Sequence, residues 1–254
     1  MCWLLLFGKR GEGTMAKKKV VLFIVEGVCD EMALALPLEK LFSSELVKVE
    51  VYGGDITSDY SSKSVVARVG DCVKKHSAEY KYQVQDYAEV VLLTDMDGAY
   101  ISEDLIRQDD SYSKAHYSEN GIRYCNPERL HKSHLVKQQS LNQLISLDKV
   151  VRTIPFSVYF FACNLDHVLS NNANLLQKEK MKKAEEFRAK YVEDEKGFLV
   201  FFHSDVLTVG QSYIESWSYV KKGTNSLKRC SNFNIYLSSE AKQISRDFSY
   251  LLEN

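Results

Sequence analysis

The chain has 254 residues, enough to bury a sizeable core and to form one large domain or one domain with a substantial appendage. Its 33 Lys and Arg residues balance 34 Asp and Glu residues, so net charge alone does not indicate a nucleic-acid partner. Six cysteines are scattered without a CxxC pair, which argues against a zinc ribbon or a redox motif and favours a reduced, cytoplasmic protein.

The first residues precede the predicted fold. Residues 1–7 are apolar, but no basic residue comes before them, and the run is too short for a signal peptide or a membrane span. Met15 is followed by Ala16 and three lysines immediately before the first predicted strand. We therefore expect residues 1–18 to be an N-terminal extension, with residues 1–14 arising from an upstream start, and we expect no membrane partner.

Two apolar runs end at acidic residues. Residues 19–25 and 90–93 each suit a parallel strand that is covered on both faces; Glu26 follows the first, and Asp95 and Asp97 follow the second. Residues two apart on an extended segment point the same way, so the carboxylates of Asp95 and Asp97 can reach one point, where a divalent metal would relieve their repulsion. Taken alone, the Asp-rich segment could equally be a solvated turn.

The elements around these runs predict a parallel sheet. Apolar spacing indicates helices over about 30–42 and 61–80, and alternation indicates a strand over about 46–52. Pro37 is expected to kink the first helix or delay its start, and Ser61 or Ser62 is expected to cap the second. This order is typical of βαβ units, so we predict an α/β fold with a Rossmann-like parallel sheet flanked by helices. Ligands of such sheets bind beyond the carboxyl ends of the strands, where both acidic tips would lie.

The middle of the chain is less regular. Residues 98–134 are polar, without a clear period, and predict a long irregular insertion. A helix over about 135–147 and a fourth strand over about 154–163 follow. This strand again ends at polar residues, beginning with Asn164, which could instead cap a helix. We assign residues 19–163 to the α/β domain.

The remainder, residues 164–254, predicts a mainly helical accessory region packed on or beside the sheet. Helices are expected over about 176–191, 206–219 and 239–252. The lysines of the first of these helices, Lys180 among them, are interpreted as its solvated face, with phosphate contact as the alternative.

A basic, turn-rich segment over residues 221–234 lies between the last two of these helices. Its positive charges lie close in sequence to Trp217 and Tyr219, and the combination of charge with stacking groups is typical of nucleic-acid contacts. The candidate nucleic-acid-binding residues are Lys221, Lys222, Lys228 and Arg229.

The acidic residues suit metal-assisted phosphate chemistry. Glu26, Asp30, Asp95 and Asp97 carry the hard oxygen ligands that Mg²⁺ or Mn²⁺ prefers. A metal held there would stabilise charge on a transferring phosphate and activate the attacking oxygen. From the residues alone, Glu26 could be a metal ligand or a general base.

These motifs resemble the TOPRIM domain, which is shared by topoisomerases, primases and the OLD (overcoming lysogenization defect) nucleases. The resemblance rests on a strand that ends in Glu26-Gly27 with Asp30 shortly after, and on a later strand that ends in Asp95-x-Asp97. It covers residues 19–98 well and extends loosely to residue 163. It implies that Glu26, Asp95 and Asp97 are catalytic and bind Mg²⁺ or Mn²⁺, with Asp30 assisting.

One departure from the TOPRIM pattern concerns the third acid that some members place after the Asp-x-Asp pair. Gly98 and Ala99 stand there in this chain. We therefore expect any additional metal ligand to come from beyond the fourth strand, with Asp166 as the candidate.

The chain looks most like the small stand-alone TOPRIM proteins of bacterial phage-defence and abortive-infection systems. That resemblance implies a nuclease that cleaves phosphodiesters of DNA or RNA. Its expected partners are nucleic acid and either a companion defence subunit or further copies of the same chain.

Other functions remain open at this point. Residues 93–99 also resemble the first motif of haloacid dehalogenase-type phosphatases, in which Asp95 would be the nucleophile and Asp97 the acid/base, although Ala99 replaces the usual Thr. A sugar-nucleotide transferase with an Asp-x-Asp metal site is a further alternative. A TOPRIM-like module that binds nucleic acid or a partner without cleaving is the alternative outside the enzymes.

Overall fold

The computed structural model describes residues 18–44, 47–54, 56–57 and 63–243, with side chains described as far as residue 238. The predicted N-terminal extension, apart from Lys18, lies outside the described residues. So do Ser61, Ser62 and the part of the last predicted helix that follows residue 243.

The chain alternates strands and helices over its first half and is mainly helical after β8. The strands are β1 (Lys19–Val25), β2 (Val47–Gly53), β3 (Tyr87–Asp95), β4 (Ile106–Gln108), β5 (His116–Ser118), β6 (Gly121–Tyr124), β7 (Lys149–Val150) and β8 (Ile154–Phe161). The α-helices are α1 (Val28–Phe42), α2 (Val65–Tyr80), α3 (Pro127–Ile145), α4 (Leu165–Ser170), α5 (Gln177–Tyr191), α6 (Glu195–Phe202), α7 (Tyr213–Val220) and α8 (Phe233–Gln243).

The central sheet has five strands in the order β2-β1-β3-β8-β7. The first four are mutually parallel, and the short β7 pairs antiparallel with β8. The predicted α/β class with a mostly parallel sheet is therefore confirmed. Because β1 and β3 are neighbours, their carboxyl ends lie side by side at one edge of the sheet.

Helices cover both faces of this sheet, which explains why its strands are apolar on both sides. On one face, Phe23 of β1 packs against α1 and α8, with its ring centroid 5.4 Å from that of Tyr236. On the other face, Leu22 of β1 belongs to a cluster that includes residues of α2, α3 and α7. The helices after residue 164 thus share a core with the sheet.

The start of several helices differs from the sequence prediction. α3 begins at Pro127 rather than near residue 135, because Asn126 caps it by accepting a hydrogen bond from the Arg129 amide. α2 begins at Val65 with Ser64 as its cap. α7 begins at Tyr213, after residue 206, and α8 begins at Phe233, before residue 239. In each case the apolar period alone did not locate the first turn.

α1 is continuous through Pro37 and begins at Val28. The expected delayed start is therefore wrong, whereas the expected kink stays a prediction. Pro37 is buried in this helix beside Leu34 and Leu38, which lie in the core. We attribute the tolerance to this packing, since it offsets the one backbone hydrogen bond that proline removes.

The insertion over residues 98–134 is not irregular throughout. It contains a small three-stranded sheet in the order β4-β6-β5, packed around Ile106 and Ile122. Its strands have three or four residues each, too few for alternation to be recognised in the sequence.

Within the described ranges, no helix combines the length and apolar character needed to cross a membrane.

Candidate functional site

The side chains that the sequence singled out meet at the carboxyl edge of the sheet. We refer to Glu26, Asp30, Asp95 and Asp97 as the carboxylate cluster. Glu26 Oε1 accepts hydrogen bonds from the main-chain amide of Asp95 at 3.2 Å and from the Thr57 hydroxyl at 3.0 Å. Two residues 69 positions apart in the chain are thus in direct contact, as the order of the strands predicted.

A buried lysine completes the cluster. Lys137 of α3 is only 3% exposed, and its Nζ lies 2.5 Å from Asp97 Oδ2 and 3.3 Å from Glu26 Oε1. Burial alone would lower the pKa of Lys137, but the charges of Asp97, Glu26 and Asp95 raise it above its usual value. Lys137 therefore stays protonated and neutralises part of the cluster.

Lys137 is the functional candidate that the sequence interpretation missed. It lies on the inward face of α3, in a series with the buried residues His134, Leu141 and Leu144. A lysine in an otherwise buried helical stripe was the available signal, because such a residue needs a partner in the core.

Asp97 reaches the cluster by a different route from the one expected. β3 ends at Asp95, and Asp97 adopts a left-handed backbone with φ of 48°. Its amide donates to the Cys163 carbonyl at 2.7 Å, which ties this turn to the segment after β8. The expected alternation along one strand is therefore wrong, although Asp95 and Asp97 still line the same cleft.

The cluster contains more carboxylates than cations, and this excess adds to the effect of burial on the pKa values of Asp95 and Asp30. Burial, followed by the charges of Asp30 and Glu26, raises the pKa of Asp95 well above its usual value. Burial and the charge of Glu26 likewise raise the pKa of Asp30 to about 7. Fixed donors still support both side chains: the Leu165 amide donates to Asp95 Oδ1 at 2.8 Å, and the Gly27 amide donates to Asp30 Oδ2 at 3.0 Å.

Asp166 lies next to this cluster but has its own cation. It is in the first turn of α4, and Lys180 Nζ of α5 lies 2.5 Å from its Oδ2. Lys180 lines the cleft over Asp95, so it is not part of a uniformly solvated face of α5. A role for Asp166 as a metal ligand stays a prediction.

The donor chemistry of the cluster suits a hard divalent cation, although its geometry is not a ready-made cage. In the part of the chain that the structure describes, no group of three or more His, Cys, Asp and Glu side chains is arranged to hold a metal ion. Lys137 bridges Glu26 and Asp97 instead. Mg²⁺ commonly binds through only one or two carboxylates and keeps water and phosphate oxygens as its other ligands. Asp95 and Asp30, whose pKa values are raised, would gain most from such an ion.

A cleft of about 610 Å³ opens above Asp95 and Asp97. One wall comes from residues 111–117 of the insertion, and the other comes from residues 173–177 together with Lys180. The insertion and the segment after α4 therefore determine what reaches the carboxylates.

The four predicted nucleic-acid-binding residues do not line this cleft. Arg229 donates hydrogen bonds to the carbonyls of His167 and Val168 in α4, a structural role. Lys221 donates to Asn142 at 2.8 Å and lies over the ring of Tyr100. Lys222 and Lys228 are exposed. Nucleic-acid contact by these residues stays a prediction.

No family model, curated protein or solved structure matched the chain. The fold and this site are therefore the basis for assigning a function.

Proposed function

We propose that the protein is a Mg²⁺- or Mn²⁺-dependent nuclease that hydrolyses phosphodiesters of DNA or RNA at the carboxylate cluster. The observation that carries the proposal is the contact of Glu26 with the end of β3, which brings carboxylates from two parallel strands to one edge around a buried lysine. That edge is where ligands of parallel α/β sheets bind.

The residues of the cluster divide into two groups. Asp95 and Asp30 would hold the metal, which supplies charge stabilisation at the phosphate and an activated water when bound. Lys137 is a positioning residue, since it holds Glu26 and Asp97 through ion pairs on either side of its ammonium group. Glu26 accepts three hydrogen bonds at Oε1, from Thr57, Thr94 and the Asp95 amide, and Lys137 donates to its Oε2 at 3.4 Å. These contacts fix the orientation of the carboxylate, which is partly exposed and would act as the general base toward a water.

The phosphatase alternative uses the same Asp95. It assigns no task to Glu26, yet Glu26 contacts the Asp95 amide and Lys137. This contact favours the nuclease over the phosphatase.

A module that binds without cleaving retains the same fold and differs in its activity alone. A role in phage defence, with a companion subunit or a second copy of the chain, belongs to the same proposal.

The test compares cleavage of single- and double-stranded DNA and RNA by purified wild-type protein, Asp95→Asn and Glu26→Gln, in Mg²⁺, Mn²⁺ or EDTA. Both substitutions keep the size of the side chain, and we expect each to lower the rate by about 100-fold or more, as loss of a general base or of charge stabilisation does. Glu186→Gln, on the exposed surface of α5, is the matched control and should retain full activity.

Three results would contradict this proposal. Metal-dependent cleavage that survives both substitutions would move the active site elsewhere. Turnover of a phosphomonoester through a phosphorylated Asp95 would support the phosphatase. Binding of nucleic acid that never leads to cleavage in either metal would support the binding module.

A further inference from the structure

The cleft above Asp95 and Asp97 is the size of a small-molecule pocket. Its volume of about 610 Å³ lies within the range of about 300–1,000 Å³ that is typical of sites for single small ligands. A short stretch of single-stranded nucleic acid fits in such a space. The bases of a double helix are paired with one another, so a duplex presents no single strand that could enter it.

One end of the cleft is crossed by a pair of hydrogen bonds between its walls. The Asn174 side chain accepts from the Tyr117 amide at 2.8 Å and donates to the Tyr117 carbonyl at 2.8 Å. We call this pair the Tyr117–Asn174 bridge. Asn174 is held in turn by Asn172, whose side chain accepts from the Asn174 amide at 2.9 Å.

The residues of the bridge border two cavities. Tyr117 and Asn174 line the cleft and also a smaller cavity of about 180 Å³ beyond it. The Tyr117 hydroxyl donates to Asp97 Oδ1 at 3.4 Å, so the side chain of Tyr117 extends from the bridge to the carboxylate cluster. A chain that entered the cleft would therefore reach the bridge about one tyrosine side chain beyond the carboxylates.

The walls of the cleft carry the groups that bind single-stranded nucleic acid. The rings of Tyr112 and His116 stack with their centroids 4.4 Å apart and their planes 22° apart. Lys114 lies on the same wall, and Lys180 lies on the opposite wall. Aromatic faces beside cations bind bases and backbone phosphates with little dependence on sequence.

We propose that the cleft receives the free end of a single-stranded nucleic acid and that the Tyr117–Asn174 bridge stops the strand from passing through. The inference rests on the proposed nuclease function and adds the form of the substrate, a linear single strand with an accessible terminus. Hydrolysis joins a water oxygen to the phosphorus of a phosphodiester near the terminus. The bond from that phosphorus to the leaving sugar oxygen breaks, and the sugar oxygen takes up a proton as a short terminal fragment is released.

The test uses three substrates of one sequence: a short linear single strand, its covalently closed circle and the blunt duplex, each as DNA and as RNA. We expect the linear strand to be shortened from an end, and we expect the circle and the duplex to react at least about tenfold more slowly, since they cannot present a stacked single-stranded terminus. Equal cleavage of the circle or of the duplex would overturn the inference while leaving the nuclease function intact.

A binding measurement separates the inference from the chemistry. Fluorescence anisotropy in EDTA compares the linear strand with the circle in the absence of cleavage. Tighter binding of the linear strand, by about tenfold, supports the inference, and equal binding overturns it. Failure to cleave any substrate in either metal would count against the nuclease function instead.

Asn174→Ala probes the bridge itself, because it removes both hydrogen bonds to Tyr117. We expect the ratio of circle to linear cleavage, and the corresponding ratio of affinities, to rise by about fivefold or more as the end of the cleft opens. Gln143→Ala, which removes an exposed carboxamide of α3 outside the cleft lining, is the matched control and should leave both ratios unchanged. Unfolding midpoints of both variants show whether they are folded. Unchanged ratios in folded Asn174→Ala would show that the bridge is not the stop.

Discussion

Two regions of this molecule bury ionisable side chains, and they balance charge in different ways. One is the carboxylate cluster, and the other is a group that we call the tyrosine cluster, in which four tyrosines pack around His76 next to Glu50 of β2. The rings of the tyrosine cluster belong to Tyr52, His76, Tyr80, Tyr82 and Tyr87.

In the tyrosine cluster, neighbouring side chains balance the charge of Glu50. Glu50 accepts from the Tyr82 hydroxyl at 2.8 Å, lies 2.6 Å from Lys48 Nζ, and contacts His76. Burial alone would raise the pKa of Glu50, but the hydrogen bonds from Lys48 and Tyr82 bring it below its usual value. The acid therefore stays ionised without help from a ligand.

The carboxylate cluster is not balanced in this way. The pKa values of Asp95 and Asp30 are raised, because burial and neighbouring carboxylates outweigh the charge of Lys137 at Asp95, and outweigh the Gly27 amide and the charge of Lys180 at Asp30. The comparison shows that buried charge by itself does not mark a functional site. The distinguishing feature is an excess of negative charge, which bound protons or an added cation would relieve.

The largest effect should come from removal of the buried lysine. Lys137→Met leaves Glu26 and Asp97, whose side chains are 16% and 31% exposed, without their ion pairs to the buried ammonium group. We expect the free energy of unfolding to fall by about 3 kcal/mol, the lower end of the cost of breaking a buried pair, because solvent reaches both carboxylates. Urea denaturation of metal-free protein measures it. Lys48→Met in the tyrosine cluster is the matched control, and its cost should be within about 1 kcal/mol because Lys48 is 45% exposed. Similar losses of unfolding free energy in Lys137→Met and Lys48→Met would contradict the difference between the two clusters.

A smaller, opposite effect should follow removal of one excess charge. The pKa of Asp30 is about 7 in the folded protein against 3.8 ordinarily, so the folded state binds this proton more tightly and stability falls as pH rises through that interval. Asp30→Asn keeps an oxygen that can accept from the Gly27 amide and removes the charge. We expect it to raise the free energy of unfolding by about 2 kcal/mol at pH 8 relative to wild type.

The pH dependence of this effect provides the check. The advantage of Asp30→Asn should shrink as the pH falls from about 7 toward 3.8 and disappear below 3.8, where the wild-type carboxyl is protonated in both states. Thermal or urea unfolding of metal-free protein across this pH range measures the difference. An equal difference at both ends of the range would show that the charge of Asp30 is not the cause.

The smallest effect should have the opposite dependence on pH and should come from the tyrosine cluster. Burial lowers the pKa of His76 from 6.5, so the unfolded state binds its proton more readily and wild-type stability falls as pH decreases below that value. His76→Gln should cost about 1 kcal/mol at pH 8, where the hydrogen bond between His76 Nδ1 and the Tyr87 hydroxyl is altered. The cost should shrink at pH 5. A cost that grows on acidification would contradict this assignment.

The sequence predictions that the structure confirmed rested on short-range patterns. The aliphatic run before Glu26 and the run before Asp95 indicated buried strands, and their βαβ order indicated that both acids would lie at one edge. These inferences hold because strand period and chain connectivity are local properties with few alternatives. The insertion and the first turns of α3 and α8 were less predictable, because short strands and capping residues leave weak patterns.

The amino-acid sequence by itself determined the parallel sheet and the convergence of Glu26 with Asp95. Only the tertiary structure decided that Lys137 pairs with Asp97, that Lys180 pairs with Asp166, and that Asn174 joins Tyr117 across the cleft. Each of these contacts joins residues from separate elements. Their distances depend on how helices and loops pack against the sheet, which no local periodicity encodes.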